Sequence, residues 1–170
     1  DDDDFGPVIN RGQLDQMVEA IERAKADGAT VVIGGVRLDD EVHRDGYYMA
    51  PTIIENAAAT AAISTTELFG PITCLYRVGD FDEAVALANE SPFGLTASIH
   101  TGNIDRAMTF IGRIQSGVAV VNGATYGSEP HMPFGGLKQS GNGTREAGTE
   151  AIDVYSELKT VYIHHDETQV

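Results

Sequence analysis

The chain has 170 residues, with 11 Lys and Arg against 26 Asp and Glu, 42% hydrophobic residues, one Cys and no Trp. At this length a globular chain buries on the order of 70% of its unfolded surface, and the apolar fraction is ordinary, so collagen, coiled coil and disorder fit poorly and a packed core is expected. The formal charge of −15 disfavours nucleic acid and anionic membrane surfaces as partners, because phosphate recognition needs clustered Lys and Arg.

Residues 11–27 read as a surface helix: Leu14, Met17, Val18, Ile21 and Ala24 follow the i, i+3, i+4, i+7 spacing, and Gly28 stands where a left-handed C-terminal residue is common. Thr30 to Ile33 is a β-branched strand, Gly34-Gly35 a turn, and Val36 to Gly46 a polar loop. Tyr47 to Ile54 reads as a strand that Pro51 confines to an edge or a bulge. From Ile72 the pattern alternates: strand 72–78, helix 81–90, strand 95–100, helix 104–115, strand 118–121. Asp80 with Glu83 caps the first of these helices. Asn103 caps the second, whose apolar stripe is Ile104, Ala107, Met108, Ile111 and Ile114 and which Gly117 stops. A β-α-β-α-β run predicts an α/β fold, an open twisted, mostly parallel sheet with flanking helices and ligands beyond the carboxyl ends of its strands.

Asn122 to Gly143 follows the last of those strands with six glycines and two prolines. A loop longer than about 15 residues in a compact domain is often functional, the alternative being a solvated excursion. Residues 144–152 are expected to form a short helix, Glu157 to Ile163 alternates like a strand, and the tail from His164 looks frayed.

Few residues offer chemistry by themselves. Cys74 lies mid-strand on a face with Ile72, Tyr76 and Val78, the setting of an inert structural thiol rather than a nucleophile. A single Cys forms no internal disulfide, no basic-then-apolar leader opens the chain, and no apolar run nears the ~20 residues of a membrane span, so a cytoplasmic setting without membrane contact is expected. Asn89 and Asn142 open Asn-x-Ser/Thr triplets that matter only in a secreted protein. His43, His100 and His131 are isolated and His164-His165 adjacent, so no bound metal is expected. Asp1 to Asp4 form a solvated acidic end more readily than a cation site, and the absence of Met there suits a proteolytic end or a polypeptide whose earlier part lies elsewhere. Glu67, ahead of a Gly-Pro turn and a strand, could accept hydrogen bonds from vicinal hydroxyls or stand as a solvent-facing loop carboxylate.

Glu67-Leu-Phe-Gly-Pro71, Asn89-Glu-Ser-Pro-Phe-Gly-Leu95, Gly117-Val-Ala-Val-Val-Asn122, Pro133-Phe-Gly-Gly-Leu-Lys-Gln-Ser-Gly141 and Glu157-Leu-Lys-Thr-Val161 closely resemble, in order and spacing, the C-terminal portion of the NAD(P)-dependent aldehyde dehydrogenase superfamily. The resemblance implies that Glu67 holds the nicotinamide ribose hydroxyls and that Phe69 packs beside the nicotinamide of NAD or NADP. It implies that Phe134 walls an aldehyde tunnel lined by Tyr126 and His131. Asn122 would support the site by hydrogen bonding, while Gly135, Gly136 and Gly141 let the backbone turn close to it. In that family a cysteine thiolate attacks the aldehyde, hydride passes to the nicotinamide, and a glutamate-activated water releases the carboxylic acid. The matching cysteine, oxyanion-hole asparagine and general-base glutamate belong to sequence upstream of this chain. No catalytic residue is therefore expected here, and the 170 residues alone should be inactive.

The resemblance further implies that residues 1–155 are part of the catalytic domain and that 156–170 are an oligomerisation strand and tail. Residues 157–163 would join a homo-dimer or tetramer. A non-catalytic interaction module that keeps the fold and pairs through the same strand is the alternative. A free-standing thiol enzyme using Cys74 would require that residue to be reactive in the folded state.

Overall fold

In a computed structural model of the chain, which describes residues 5–164, the first helix, α1, runs Arg11–Ala26. Asn10 caps its start, its Oδ1 accepting from the Gln13 N–H at 2.8 Å. Its end is a Schellman motif: the Gly28 N–H donates to the Lys25 carbonyl and the Ala29 N–H to the Ala24 carbonyl, with Gly28 at φ +96°. The buried face is Leu14, Met17, Ala20, Ile21 and Ala24. It packs with Val8, Met49, Ile54 and Ile63 into the core of the first half, where side chains of this size each contribute about 1.5–3 kcal/mol by leaving water.

Strands β1 (Thr30–Ile33) and β2 (Thr52–Glu55) pair antiparallel with an irregularity between Val31 and Ile33, and β2 pairs parallel with β3 (Ile72–Leu75). The sheet order is β1-β2-β3, so β2 is central, and of the edge or bulge expected for it only the pairing irregularity opposite Ile53 and Ile54 is found. Pro51 is accommodated because the strand begins one residue after it, and the Thr52 N–H donates to the Pro71 carbonyl at 2.8 Å. Gly34, at φ +74°, passes so close to the Pro51 carbonyl that a Cβ would overlap it. The buried Thr52 hydroxyl accepts from the Gly35 N–H at 2.8 Å and donates to the Ala50 carbonyl at 2.7 Å. The short α2 (Ala62–Thr65), which the periodicity did not signal, inserts Ile63 into the core. Helix α3 (Phe81–Glu90) has the expected bounds. Asp80 caps the Glu83 N–H at 2.9 Å, while Glu83 reaches back one residue past the cap to accept from the Gly79 N–H at 2.6 Å.

The chain divides at Ser91–Pro92 into two compact units. In the second, β4 (Phe93–Gly94) is followed by β5 (Thr96–Ile99), α4 (Ile104–Arg113), β6 (Val118–Val121), β7 (Leu137–Lys138) and α5 (Ala151–Val154). β5 and β6 pair parallel across α4, the crossover that the alternation predicts, and β4 pairs antiparallel with β7. The fold class is α/β with parallel pairs and flanking helices. The run 72–121 is not one ladder, however: β3 closes the first sheet, and β5 pairs with β6 alone among the described residues.

Several expected elements are corrected. Helix α4 ends at Arg113, with Ile114 already extended at ψ 134°. Gly117 is needed for another reason: a Cβ there would overlap the Gly135 carbonyl. The buried face of α4 is Ala107 and Phe110, while Ile104, Met108 and Ile111 are exposed; at 100° per residue the covered side lies about a quarter turn from the expected stripe. Residues 144–150 form no helix, because Glu146 exchanges backbone hydrogen bonds with Phe134 at 3.0 Å in both directions, and the helix that does form is α5. Glu157 to Ile163 has no ladder partner among the described residues, so the alternation there stays exposed chain rather than a strand. The opening acidic run and His165 lie outside the described residues.

Candidate functional site

Thr66 to Pro71 forms a tight hoop between α2 and β3. The Thr66 N–H donates back to the Ala62 carbonyl at 2.9 Å, the Ile72 N–H to the Gly70 carbonyl at 2.8 Å, and Pro71 receives Thr52. Leu68 is half-buried against the core, and this holds its neighbours outward. Glu67 is exposed, and Phe69 is 78% exposed on a backbone at φ +51°. A bulky non-glycine residue at positive φ is costly by roughly 1–3 kcal/mol, so the surrounding contacts must enforce it.

Glu67 and Phe69 line one groove of about 420 Å³, together with the hydroxyl residues Ser64, Thr66 and Thr73 and the side chains of Cys74 and Tyr76. The structure therefore brings the two expected cofactor residues together. An ionised carboxylate is acceptor-only and suits a diol, while an exposed aromatic face suits a flat heterocycle. Tyr76 donates to Ser64 Oγ at 2.6 Å, and partial burial pushes its phenol above the usual range, opposed by that hydrogen bond. Cys74 is half-buried against the core with Sγ 4.0 Å from the Ile63 carbonyl. It lies in β3 as expected, but the strand ends at Leu75, so Tyr76 and Val78 follow it rather than share it. Among the described residues no three His, Cys, Asp or Glu side chains gather as metal ligands, and no helix is long and apolar enough to cross a membrane.

The second unit positions the remaining candidates. Asn122 ends β6 at φ +54°, and its amide grips the turn after β5: Oδ1 accepts from the Thr101 N–H at 2.8 Å and Nδ2 donates to the Thr101 carbonyl at 3.0 Å. Its backbone N–H donates to the Ile99 carbonyl at 2.8 Å. The carboxyl ends of β5 and β6 are thus tied where the long loop begins. Phe134 is half-buried on its bridge to Glu146. Gly136 is buried against Ser140 and Gly141 so closely that a Cβ on either glycine would overlap backbone, and a Cβ on Gly135 would press on the Thr144 carbonyl at 2.8 Å. Tyr126, 87% exposed, and His131, also exposed, stand on the loop. The loop is anchored through β7 rather than free along its whole length.

Sequence reasoning missed two residues of the hoop's support. Gln13 Nε2 donates to the Leu68 carbonyl at 2.6 Å, and Met17 lies where a Cβ on Gly70 would meet its Sδ and Cε. Both contacts span more than fifty positions, and no local spacing announces them.

The model of the aldehyde dehydrogenase family matches residues 1–161. The chain is 40% identical over 159 residues to an alpha-ketoglutaric semialdehyde dehydrogenase of Bacillus subtilis, covering 94% of this chain and 33% of the relative. It is 40% identical over 160 residues to a betaine aldehyde dehydrogenase of Brucella anthropi, covering 94% and 32%. Among solved structures it resembles betaine aldehyde dehydrogenase of Staphylococcus aureus in complex with NAD+, with a TM-score of 0.85 and 32% identity over 91% of this chain and 30% of that one. The chain spans about a third of the length of the curated relatives it matches. It belongs to the aldehyde dehydrogenase family.

Proposed function

We propose that this chain supplies the nicotinamide clamp and a substrate wall of an enzyme that oxidises an aldehyde to a carboxylic acid with NAD or NADP. The observation that carries the reading is the hoop that sets Glu67 and Phe69 on one groove, a size that accommodates a ribose and its attached ring. The dinucleotide, when bound, accepts the hydride that leaves the aldehyde carbon. Toward it, Glu67 accepts hydrogen bonds from the two ribose hydroxyls and fixes the ring's rotation, and Phe69 offers an aromatic surface that shields the reacting face from water. Asn122 fixes the start of the loop that carries Tyr126, His131 and Phe134. Gly135 and Gly136 let that loop fold tightly enough for Phe134 to act as an aromatic wall.

On this reading the nucleophilic thiol and the general base come from other polypeptide of the same enzyme, and the 170 residues alone turn over no aldehyde. Cys74 is structural, since its sulfur packs against the core. Residues 1–155 belong to the catalytic domain, and residues 157–163 pair with a second copy in a dimer or tetramer. The exposed apolar side chains of Leu158, Val161, Tyr162 and Ile163 support that pairing.

Glu67→Gln in the full-length enzyme tests the clamp. Hydride transfer in a single turnover should slow by about ten- to a hundredfold, because a misplaced ring leaves the reactive geometry, while the fold is kept. An unchanged transfer rate would refute the assignment.

A further inference from the structure

From the tie between α1 and the Glu67–Pro71 hoop we infer that Gln13 is a positioning residue for Glu67 and Phe69, an inference that rests on the cofactor reading of those two side chains. Gln13 is the third residue of α1, and Asn10-Arg-Gly-Gln13 has the spacing of a capping box, in which the glutamine would turn back to the cap. It does not. Asn10 caps the Gln13 N–H, and the Gln13 side-chain amide crosses instead to the carbonyl of Leu68, 55 positions away, at 2.6 Å.

Leu68 lies between the two residues that the clamp needs. With its carbonyl fixed by Gln13 and its side chain against the core, the peptide planes on either side lose most of their freedom. Phe69 accordingly sits at φ +51°, a conformation that an aromatic residue leaves readily unless it is held. The next residue is held from the same helix, one turn on, by Met17 against Gly70. The hoop then closes through the Ile72 N–H on Gly70 and the Thr52 N–H on Pro71. Helix α1 therefore sets the direction of Glu67 and Phe69 without lining their groove.

The test is Gln13→Glu in the full-length enzyme, with Gln13→Ala and Glu67→Gln beside it. Gln13→Glu keeps the side chain's shape and places a carboxylate in the first turn of a helix, where it favours the helix, but it loses the N–H that Leu68 requires. Loss of one such bond corresponds to about a five- to tenfold effect. KM for NAD+ should rise by about that factor in both Gln13 variants, and deuterium uptake of the 66–72 segment should quicken, with the melting temperature of Gln13→Glu unchanged. A carboxyl group regains a donor when protonated, so the Gln13→Glu penalty relative to wild type should shrink as pH falls toward about 4–5. Gln13→Ala should show no such recovery.

Quickened uptake with cofactor kinetics unchanged would show that Gln13 braces the hoop without positioning the clamp, and would overturn the inference; so would no change in either. If Glu67→Gln is impaired and the Gln13 variants are not, only the Gln13 inference falls. If Glu67→Gln is itself silent, the cofactor reading and the inference fall together.

Discussion

Asn122 joins a left-handed backbone to the loop proposed to wall the substrate, and its contribution can be worked out from two hydrogen bonds and one dihedral angle. Its amide makes bonds of 2.8 and 3.0 Å to the backbone N–H and carbonyl of Thr101, in an exposed setting. Water replaces lost partners there, so each bond contributes near the lower part of the usual range, about 0.5–1 kcal/mol. The φ of +54° adds about 1–2 kcal/mol for a residue such as alanine, whereas asparagine and glycine visit this region readily. Asn122→Gly should therefore cost about 1–2 kcal/mol and Asn122→Ala about 2–4, the gap between them being the strain. Urea unfolding followed by circular dichroism reads both, provided the slope is common to all three proteins. A glycine variant as stable as wild type would show that the grip on Thr101 contributes nothing. Equal losses in the two variants would show that the left-handed backbone carries no strain.

What the sequence disclosed was what a short stretch of chain decides for itself. Helix α1 announces itself through its apolar spacing and Gly28 and α3 through Asp80, because a cap and a left-handed stop are local chemistry, whereas the Asn10 cap of α1 was not read. β5 and β6 do so through short apolar runs bounded by turns. The other failures share one cause, a partner remote in sequence. Pro51 argues for an edge only if the strand includes it, and the sheet solves the problem by starting β2 at Thr52. The stripe of α4 turns toward Phe110 because the surface it meets, and not its own periodicity, chooses which side is covered. Gly117 and Gly70 were legible as punctuation but not as close approach. They serve packing against Gly135 and Met17, which no local reading places beside them. The candidate site divides in the same way. Glu67 and Phe69 could be named from their motif, whereas the tie from Gln13 that holds them exists only in three dimensions.

Phe134→Ala in the full-length enzyme should change the ranking of aldehydes by kcat/KM while leaving KM for the cofactor within about twofold, since a wall sorts substrates by shape; an unchanged ranking would remove Phe134 from the tunnel. Asp40 has its carboxyl held below the usual range, chiefly by the 2.6 Å hydrogen bond from His43 and then by the Val42 N–H. A depressed carboxyl contributes stability above its unfolded value of about 3.9 and loses it as pH falls through the lower folded value. The stability gap between wild type and Asp40→Asn should therefore be present at neutral pH and fade in acid as the depressed carboxyl takes up its proton, and a gap that widens in acid would reverse the assignment. The segment 157–163 presents Leu158, Tyr162 and Ile163 to solvent with no ladder partner among the described residues, an arrangement that a second chain can complete by adding backbone hydrogen bonds and covering the apolar side chains. Thr160→Pro removes one ladder N–H and fixes a φ that a central strand does not keep. Light scattering on the full-length enzyme should then show smaller assemblies. If the assembly is unchanged while the fold persists, the pairing lies elsewhere, because a strand that tolerates proline at its centre is not contributing its ladder to the interface.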